Sequence, residues 1–503
     1  MTARTLMIQG TSSSAGKSLL VTALCRIYAR RGLRVAPFKA QNMSNNAAVC
    51  PDGSEIGRAQ YVQALAAGIE PQVEINPVLI KPEADARAQV ILMGRPLDTF
   101  SAQDYYQQKD ILWDNVRTAL DSLRQRYDLV IIEGAGSPAE INLRAGDIVN
   151  MAVALYANSP VLLVGDIDRG GIFAQLLGTL WLLEPEERAL VRGLVINKFR
   201  GDLALFGDGV QLIEEKGGTP VLGIVPYLKD LYIPEEDAVA LDRSEAQCPR
   251  PGVMTDIAVI HLPLISNFDD FDPFNADPGV SLRYVNSLHS LGEPDAIILP
   301  GTKSTAADLE WLHATGLAGA IIEHVHRGGA LAGICGGYQM LGELILDPHQ
   351  VESDRVSTPG LGLLPIQTHF ASNKATYQAQ ARINFSDGWL AEINGLTLDG
   401  YEIHMGLTQG NNPWLEILTR NGQGTHDLDG AISPDGRVWG SYLHGLFASR
   451  HLRRAWLRSL GWESSHIGRH FADDLFPEAM DRLADTVEGA LDMQRLEKII
   501  WGN

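Results

Sequence analysis

An apolar strand, Thr5–Gln9, runs directly into Gly10-Thr11-Ser12-Ser13-Ser14-Ala15-Gly16-Lys17-Ser18 and then into an amphipathic helix. Small residues in that order let main-chain N–H groups curl around a phosphate, and the helix start adds positive potential. Gly10, Thr11 and Gly16 shape the cradle. Lys17 is placed to reach the β- and γ-phosphates of ATP, and the Ser18 hydroxyl to ligate Mg²⁺. The loop holds one residue more between Gly10 and Gly16 than the common GxxxxGK-Ser/Thr form. A loop of this kind needs a parallel sheet behind it. Five further apolar segments, Arg34–Phe38, Leu129–Glu133, Val161–Gly165, Leu194–Asn197 and Val221–Val225, read as buried parallel strands with helical crossovers between them.

Several residues at the C-terminal edge of that sheet are candidates for chemistry. Glu133 closes an apolar strand and is followed by Gly134, Ala135 and Gly136; sheet topology puts it beside the loop as a second Mg²⁺ ligand. The plain alternative is a solvated strand-end acid, which the glycines disfavour because they let a ligand approach. Asn197, after another strand, suits either an adenine-reading position or an ordinary turn asparagine. Lys39 and Lys81 could merely snorkel at strand ends, but their place at this edge favours phosphates or substrate carboxylates. Asp166 and Asp168 end a strand near the loop, where they would hold metal or order a substrate.

The chain of 503 residues is too long for one core, and 45% hydrophobic with 20% charged residues is a globular balance. A net charge of −20, from 61 acidic against 41 basic residues, argues against wrapping nucleic acid or docking on anionic lipid. The apolar run Leu6-Met7-Ile8 is far too short for a signal peptide, and the longest apolar stretch is broken by Asn150, Asn158 and Pro160. Four scattered cysteines form no metal-ligand pattern and suit a reducing cytoplasm. An oligomeric state is not encoded in any of these features.

From Tyr227 to Asp256 the sequence turns polar and proline-bearing, the expected linker. A second α/β pattern follows, with strands Ile257–His261, Ala296–Leu299 and Ala330–Ile334 and a helix near Leu317–Arg327. Past Gly360 the texture is β-rich, and Pro434-Asp435-Gly436 predicts a hairpin between Ala431–Ser433 and Arg437–His444. In the tail Met480, Leu483, Val487 and Leu491 lie on one helix face, which predicts docking on a core.

Gly333-Ile334-Cys335-Gly336-Gly337 has the form of a nucleophile elbow, the thiol counterpart of G-x-S-x-G. Its glycines permit the sharp turn, and the helix it opens favours a thiolate. The N–H of Gly336 would stabilise a tetrahedral oxyanion, with a second donor from Gly301 at the end of a neighbouring strand. His444, late in the domain, is the candidate base. A buried cysteine is commonly just a small hydrophobe, but elbow, oxyanion strand and terminal histidine together point to catalysis.

These features together resemble the class I, triad-type glutamine amidotransferases fused to a dethiobiotin-synthetase-like ATPase, whose loop has the longer form. Within that group the chain resembles the cobyric acid synthase family, from Met7 to about Phe447. The stretches that carry the likeness are Phe38–Ser44, with Gln41 and Asn42; Asn76–Pro82, with Lys81; Asp166–Gly171; and Gly400–His404. The resemblance implies two doubly wound α/β domains, an N-terminal P-loop sheet over 1–227 and a class I glutaminase-like domain over 256–450. A linker at 228–255 joins them, and a helical tail spans 451–503. It further implies Gln41, Asn42, Lys81, Asp166 and Asp168 as substrate contacts. The wider glutaminase family has Glu two residues after the histidine, where this chain has Leu446. The family shares that gap, so a Cys–His pair without a standard third acid is expected, with Glu402 a weak candidate to orient His444. In the Gln41–Ala47 stretch Asn45 and Ala47 depart from the Leu and Ser that the resemblance leads one to expect.

The implied reaction amidates carboxylates b, d, e and g of (adenosyl)cobyrinic acid a,c-diamide, each with ATP, L-glutamine and water. The nearest rival is cobyrinic acid a,c-diamide synthase, which the Gln41–Ser44 and Asn76–Pro82 stretches disfavour. CTP synthase keeps the His-x-Glu that Leu446 breaks. From another class, a partitioning-type ATPase switch carries a lysine five residues before the loop lysine, where this chain has Ser12, and has no use for a glutaminase elbow.

Overall fold

The computed structural model of the chain describes residues 2–83, 87–229, 231–234, 253–463 and 472–502. Six strands of the first half form one parallel sheet in the order Val221–Pro226, Val191–Phe199, Val161–Asp166, Arg4–Gly10, Leu129–Glu133, Val35–Phe38. Its central strands are buried along nearly their whole length, which is why they read as unbroken apolar runs rather than alternating ones. The strand at Leu194–Asn197 is longer than expected because the chain stays extended from Val191 to Phe199. Gly10 ends the central strand, and the loop after it leads into helix α1 (Lys17–Arg30). That places the loop at the carboxyl edge of the sheet, the position at which such sheets bind ligands.

A second sheet has the order Val280–Val285, Thr255–Ile260, Ala296–Leu299, Ala330–Ile334, Val438–Ser441, Ala431–Ile432, parallel except for the last pair. The hairpin expected around Asp435 is that last pair. Past Gly360 the strand Ile366–Ile383 pairs antiparallel with Thr397–Gly410. The linker expected over 228–255 lies mostly outside the described residues. Between the two sheets stands a small one that periodicity did not reveal: Gln41–Met43, Val78–Pro82, Arg87–Leu92 and Arg95–Ser101. Its strands are short and carry Pro82, Arg87 and Pro96, which dilute the β signal.

Helix α2 (Arg58–Ala66) also lies between the halves. Around it, Ala47, Val49, Leu79 and Ile91 of the first half form one apolar cluster with Tyr401 and Ile403 of the second. The chain then crosses back. Helix Arg450–Ser459 belongs to the second core through Leu452 and Trp456. Helix Ala472–Ala490 instead lays Met480, Leu483 and Val487 on Leu20 and Leu24 of α1 in the first core. Arg26–Asp481 at 2.8 Å and Arg30–Asp485 at 2.7 Å flank that contact. Among the described residues no helix is long and apolar enough to cross a membrane.

Candidate active site

At the phosphate loop Gly16 adopts φ 93°, a left-handed conformation, and Lys17 begins α1 behind it. A β-carbon on Gly10 would meet the Ser12 carbonyl oxygen at 2.8 Å, so the loop can close only on glycine. The Lys17 ammonium donates to the carbonyls of Ser12, Ser13 and Gly136, at 2.9, 3.1 and 3.2 Å. Thr11 Oγ1 donates to Gln175 Oε1 at 3.1 Å. Ser12 Oγ is buried with no hydrogen-bond partner among the described residues. Such a group inside a small-residue cradle is what a phosphate oxygen would satisfy.

Glu133 is buried next to this loop. It accepts from Ser18 Oγ at 2.9 Å, from Lys39 Nζ at 2.8 Å and from Gln63 Nε2 at 2.6 Å. Ser18 and Glu133 are thus neighbouring oxygen donors at the foot of the cradle, a donor set that fits a phosphate-bound hard cation. Asn197 turns its side-chain amide onto the Ala15 carbonyl at 2.9 Å and so braces the loop from below. Asp166 pairs with Lys198 at 3.0 Å, and Lys198 also donates to Ser14 O at 2.7 Å. Asp168 pairs with Arg200 at 2.8 Å. Asp166 therefore supports the loop's outer rim through Lys198, while Asp168 is held by Arg200.

The elbow carries its bend at the nucleophile itself. Cys335 has φ 51° and ψ −108° between strand Ala330–Ile334 and the short helix Gly336–Met340. A non-glycine residue held there is strained, and such strain concentrates at functional sites. Gly337 is required by its neighbour: a β-carbon there would lie 2.0 Å from the Leu299 carbonyl oxygen. Gly336 lies against Thr302, and Gly301 against the His444 ring, where added β-carbons would come within 2.6 and 3.1 Å. The structure thus gathers Cys335, Gly336, Gly301 and His444 in one place.

The Cys335 thiol donates to the Ile403 carbonyl at 3.5 Å, and beside it His444 is buried. It lies three residues beyond strand Val438–Ser441, fixed by a bridge to Tyr401 rather than by the strand itself. Its Nδ1 is 2.7 Å from Oδ2 of Asp270, whose Oδ1 accepts from the Gly445 N–H at 3.0 Å. Burial works against protonating this imidazole, but the charge and hydrogen bond of Asp270, with Cys335, outweigh it and raise its pKa to about 10. The standard acid is missing, as expected from Leu446, and Asp270 from another segment takes up the orienting place. Glu402 is not the orienting residue: its carboxylate is taken by Arg420, at 2.5 and 3.0 Å. Asp270 comes from the stretch Phe268–Ala276, where Phe268, Phe271 and Phe274 are buried in the core and draw the intervening acids inward. Two consecutive acids between core phenylalanines were the available signal.

A cavity of about 210 Å³ opens in front of Cys335. One wall belongs to the second half, with Thr302, Gln339 and Glu352; the other is Lys81 and Gln89 of the first. Lys81 pairs with buried Glu55, which also binds Lys374 of the second half at 2.5 Å. Burial opposes the Glu55 charge, but Lys374 and Lys81 hold its carboxyl down at about 2. A second cavity, about 420 Å³ and mainly apolar, is lined by Gln41, Phe100, Tyr105, Tyr106, Lys109 and Arg144 and reaches Ala135 beside the phosphate loop. Gln41 is hydrogen-bonded to Tyr105 in its wall. Asn42 points elsewhere, to Gln60 Oε1 at 2.9 Å. Arg87 lines both cavities.

Residues 6–239 match the model of the CobQ/CobB/MinD/ParA nucleotide binding domain, and residues 256–452 that of the CobB/CobQ-like glutamine amidotransferase domain. The chain is 54% identical to a cobyric acid synthase of Roseiflexus castenholzii, over 98% of either chain. It is 54% identical to that of Chloroflexus aurantiacus, over 99% of its own length and 100% of the relative's. To a cobyric acid synthase of Dehalococcoides mccartyi it is 48% identical, over 99% of each. The thiol elbow and the phosphate loop fall one within each matched domain, and the chain belongs to the cobyric acid synthase family of glutamine-dependent amidotransferases.

Proposed function

We propose that this chain converts (adenosyl)cobyrinic acid a,c-diamide to (adenosyl)cobyric acid in cobalamin biosynthesis, amidating carboxylates b, d, e and g. The observation that carries this reading is the cavity in front of Cys335, whose far wall is built by the ATPase half. A thiol that releases ammonia there delivers it toward the half that activates the acceptor.

Cys335 attacks the carboxamide of glutamine, and the imidazolium of His444 gives its proton to the departing ammonia. Asp270 holds the ring in the tautomer that faces Cys335. The N–H of Gly336, with Gly301 alongside, stabilises the oxyanion of both tetrahedral steps. Water then cleaves the thioester to glutamate and restores the thiol. In the other half Lys17 and the loop amides hold the ATP phosphates; Ser18 and Glu133 would hold Mg²⁺, which would supply charge neutralisation to the phosphoryl group. A rim carboxylate of the corrinoid takes the γ-phosphoryl group, and ammonia displaces inorganic phosphate to leave the amide. The apolar cavity beside Ala135 is the place for the corrin, with Tyr105, Tyr106 and Phe100 against its hydrocarbon face. Lys109 and Arg144 are basic residues of the cavity wall, and a corrin carboxylate would take them from Gly146 O and from Glu184, their present partners. Cys25, Cys50 and Cys335 are free thiols, which suits a cytoplasmic enzyme.

The test is Cys335→Ala. Glutamine-supported amidation of the corrinoid disappears while ammonia-supported amidation survives, and mass spectrometry counts the amides formed. Equal loss of both activities would refute this division of labour.

A further inference from the structure

Asp270 is not held in place by its own domain alone. The residue before it, Asp269, is buried, and both of its carboxylate oxygens lack a hydrogen bond among the described residues. Its charge is met by Arg58 of the ATPase half, whose Nε lies 2.7 Å away, close enough for an ion pair though not aligned for a hydrogen bond. The same guanidinium stands 5.9 Å from the centre of the Tyr401 ring. Tyr401 is stacked on His444, with centroids 5.0 Å apart and planes at 13°. One cation from the first domain therefore touches both supports of the catalytic imidazole, the acid-bearing segment and the stacked ring.

Neighbouring contacts fix that cation. Asn267 N donates to Asn46 Oδ1 at 2.7 Å, and Ala47 N donates to Asn267 Oδ1 at 2.9 Å. The Arg58 N–H in turn donates to Asn46 O at 3.1 Å. Arg58 is the first residue of α2. Five residues on, roughly 7.5 Å along the axis, Gln63 reaches Glu133 Oε2 at 2.6 Å in the phosphate site. A single short helix thus has its first residue on Asp269, next to the glutaminase acid, and its sixth on the carboxylate beside the phosphate loop. A cation bound to Glu133 competes for the lone pairs that Gln63 and Lys39 now use, so the two states of the phosphate site make different contacts with α2.

We propose that Arg58 is a positioning residue of the glutaminase, supplied by the ATPase half, and that α2 links glutamine hydrolysis to occupancy of the phosphate site. This rests on the amidotransferase reading above and adds to it the residue through which one site acts on the other. Arg58 touches neither glutamine nor the reacting atoms; it acts through Asp269–Asp270 and Tyr401.

Four proteins test it: wild type, Arg58→Met, Arg58→Lys and, for the contact of the helix with Glu133, Gln63→Leu. In nucleotide-free protein, the pH dependence of Cys335 alkylation by iodoacetamide reports the Cys–His–Asp alignment directly. Arg58→Met is expected to move that profile toward higher pH and to lower kcat for glutamine about tenfold or more, with KM within about twofold. Arg58→Lys, which keeps the charge, restores most of both. Gln63→Leu is expected to bring the ratio of glutaminase rates with and without Mg-ATP close to one. An Arg58→Met profile and kcat like those of wild type would overturn the positioning role, and so would Arg58→Lys failing in the same way as Arg58→Met. Full nucleotide stimulation in Gln63→Leu would overturn the link. Absence of glutamine hydrolysis in the wild type would instead strike the amidotransferase reading itself.

Discussion

His444 and Asp270 stand 174 positions apart in the chain, yet Nδ1 of one meets Oδ2 of the other at 2.7 Å. Leu446 fills the place where the wider glutaminase family carries its acid, and it is buried. An acid could not sit at that position without burying a second charge beside Asp270. Relocating the acid to the segment after the first strand of the domain leaves Leu446 free to pack, and the Gly445 N–H fills the second Asp270 oxygen.

Asp270→Asn is expected to cost about 10²- to 10⁴-fold in glutamine-supported kcat, the usual worth of a lost general acid–base arrangement. The pKa of His444 stands at about 10 because of Asp270; without that charge, burial favours the neutral ring. The protonated fraction of His444 then falls at neutral pH. Cys335 alkylation should accordingly move to higher pH. Ammonia-supported amidation checks that the other half still works, and a glutaminase rate unchanged in the variant would remove Asp270 from the mechanism.

Glu352 gives a pH dependence to glutamine binding. It lies in the wall of the Cys335 cavity and accepts from the N–H groups of Thr305 and Ala306, at 2.5 and 3.2 Å. Burial pushes its carboxyl up to about 7, against the pull of those N–H groups and Lys303. Above pH 7 it is a carboxylate able to meet the α-ammonium of glutamine; below, it is neutral. KM for glutamine is therefore expected to rise several-fold as pH falls from 8 to 6 (roughly one unit either side of that pKa), with kcat following His444 instead. Glu352→Gln should show a raised KM that no longer varies over that interval. Initial-rate glutamate release at each pH measures both.

How much of this was legible in the chain depends on what each residue answers to. The six strands of the first sheet showed as apolar runs because both faces are buried, a local property. Cys335 and the Gly10–Ser18 loop were legible because each needs a fixed order of small residues around one reactive side chain. Asn197 is different: its amide braces Ala15, 182 positions earlier, and nothing in its own neighbourhood says so. Asp270, Glu55 and the half-buried Arg58 are cases of the same kind, charges whose partners come from other elements. Glu402, the weak candidate to orient His444, failed for that reason, since its carboxylate is taken by Arg420 of another strand.

Asn197→Ala tests the bracing role. Losing one buried hydrogen bond costs about 0.5–1.5 kcal/mol, and leaving the Ala15 carbonyl unsatisfied can add to it. Nucleotide Kd is then expected to rise about 2- to 10-fold with little change in glutamine-supported thiol chemistry. Isothermal titration with a non-hydrolysable ATP analogue reads this out, and an unchanged Kd would assign the loop's shape to Lys198 and Asp166 alone.

The helix Ala472–Ala490 makes the two halves interdependent in a way that stability can report. Met480, Leu483, Val487 and Leu491 are 5, 2, 1 and 7% exposed where they meet the first core. At about 1.5–3 kcal/mol for each buried side chain, they contribute roughly 6–12 kcal/mol, an upper figure because an unfolded chain already hides some surface. A whole domain keeps only about 5–15 kcal/mol of net stability. A chain ending at residue 463 is therefore expected to lose cooperative unfolding of its ATPase half, while the glutaminase half, which keeps Trp456 and Leu452, still melts as a unit. The milder Leu483→Ala should cost about 2–5 kcal/mol and lower only the ATPase transition. Calorimetry separates the two transitions. Equal lowering of both would mean that the helix stabilises the joint between the domains rather than the first core.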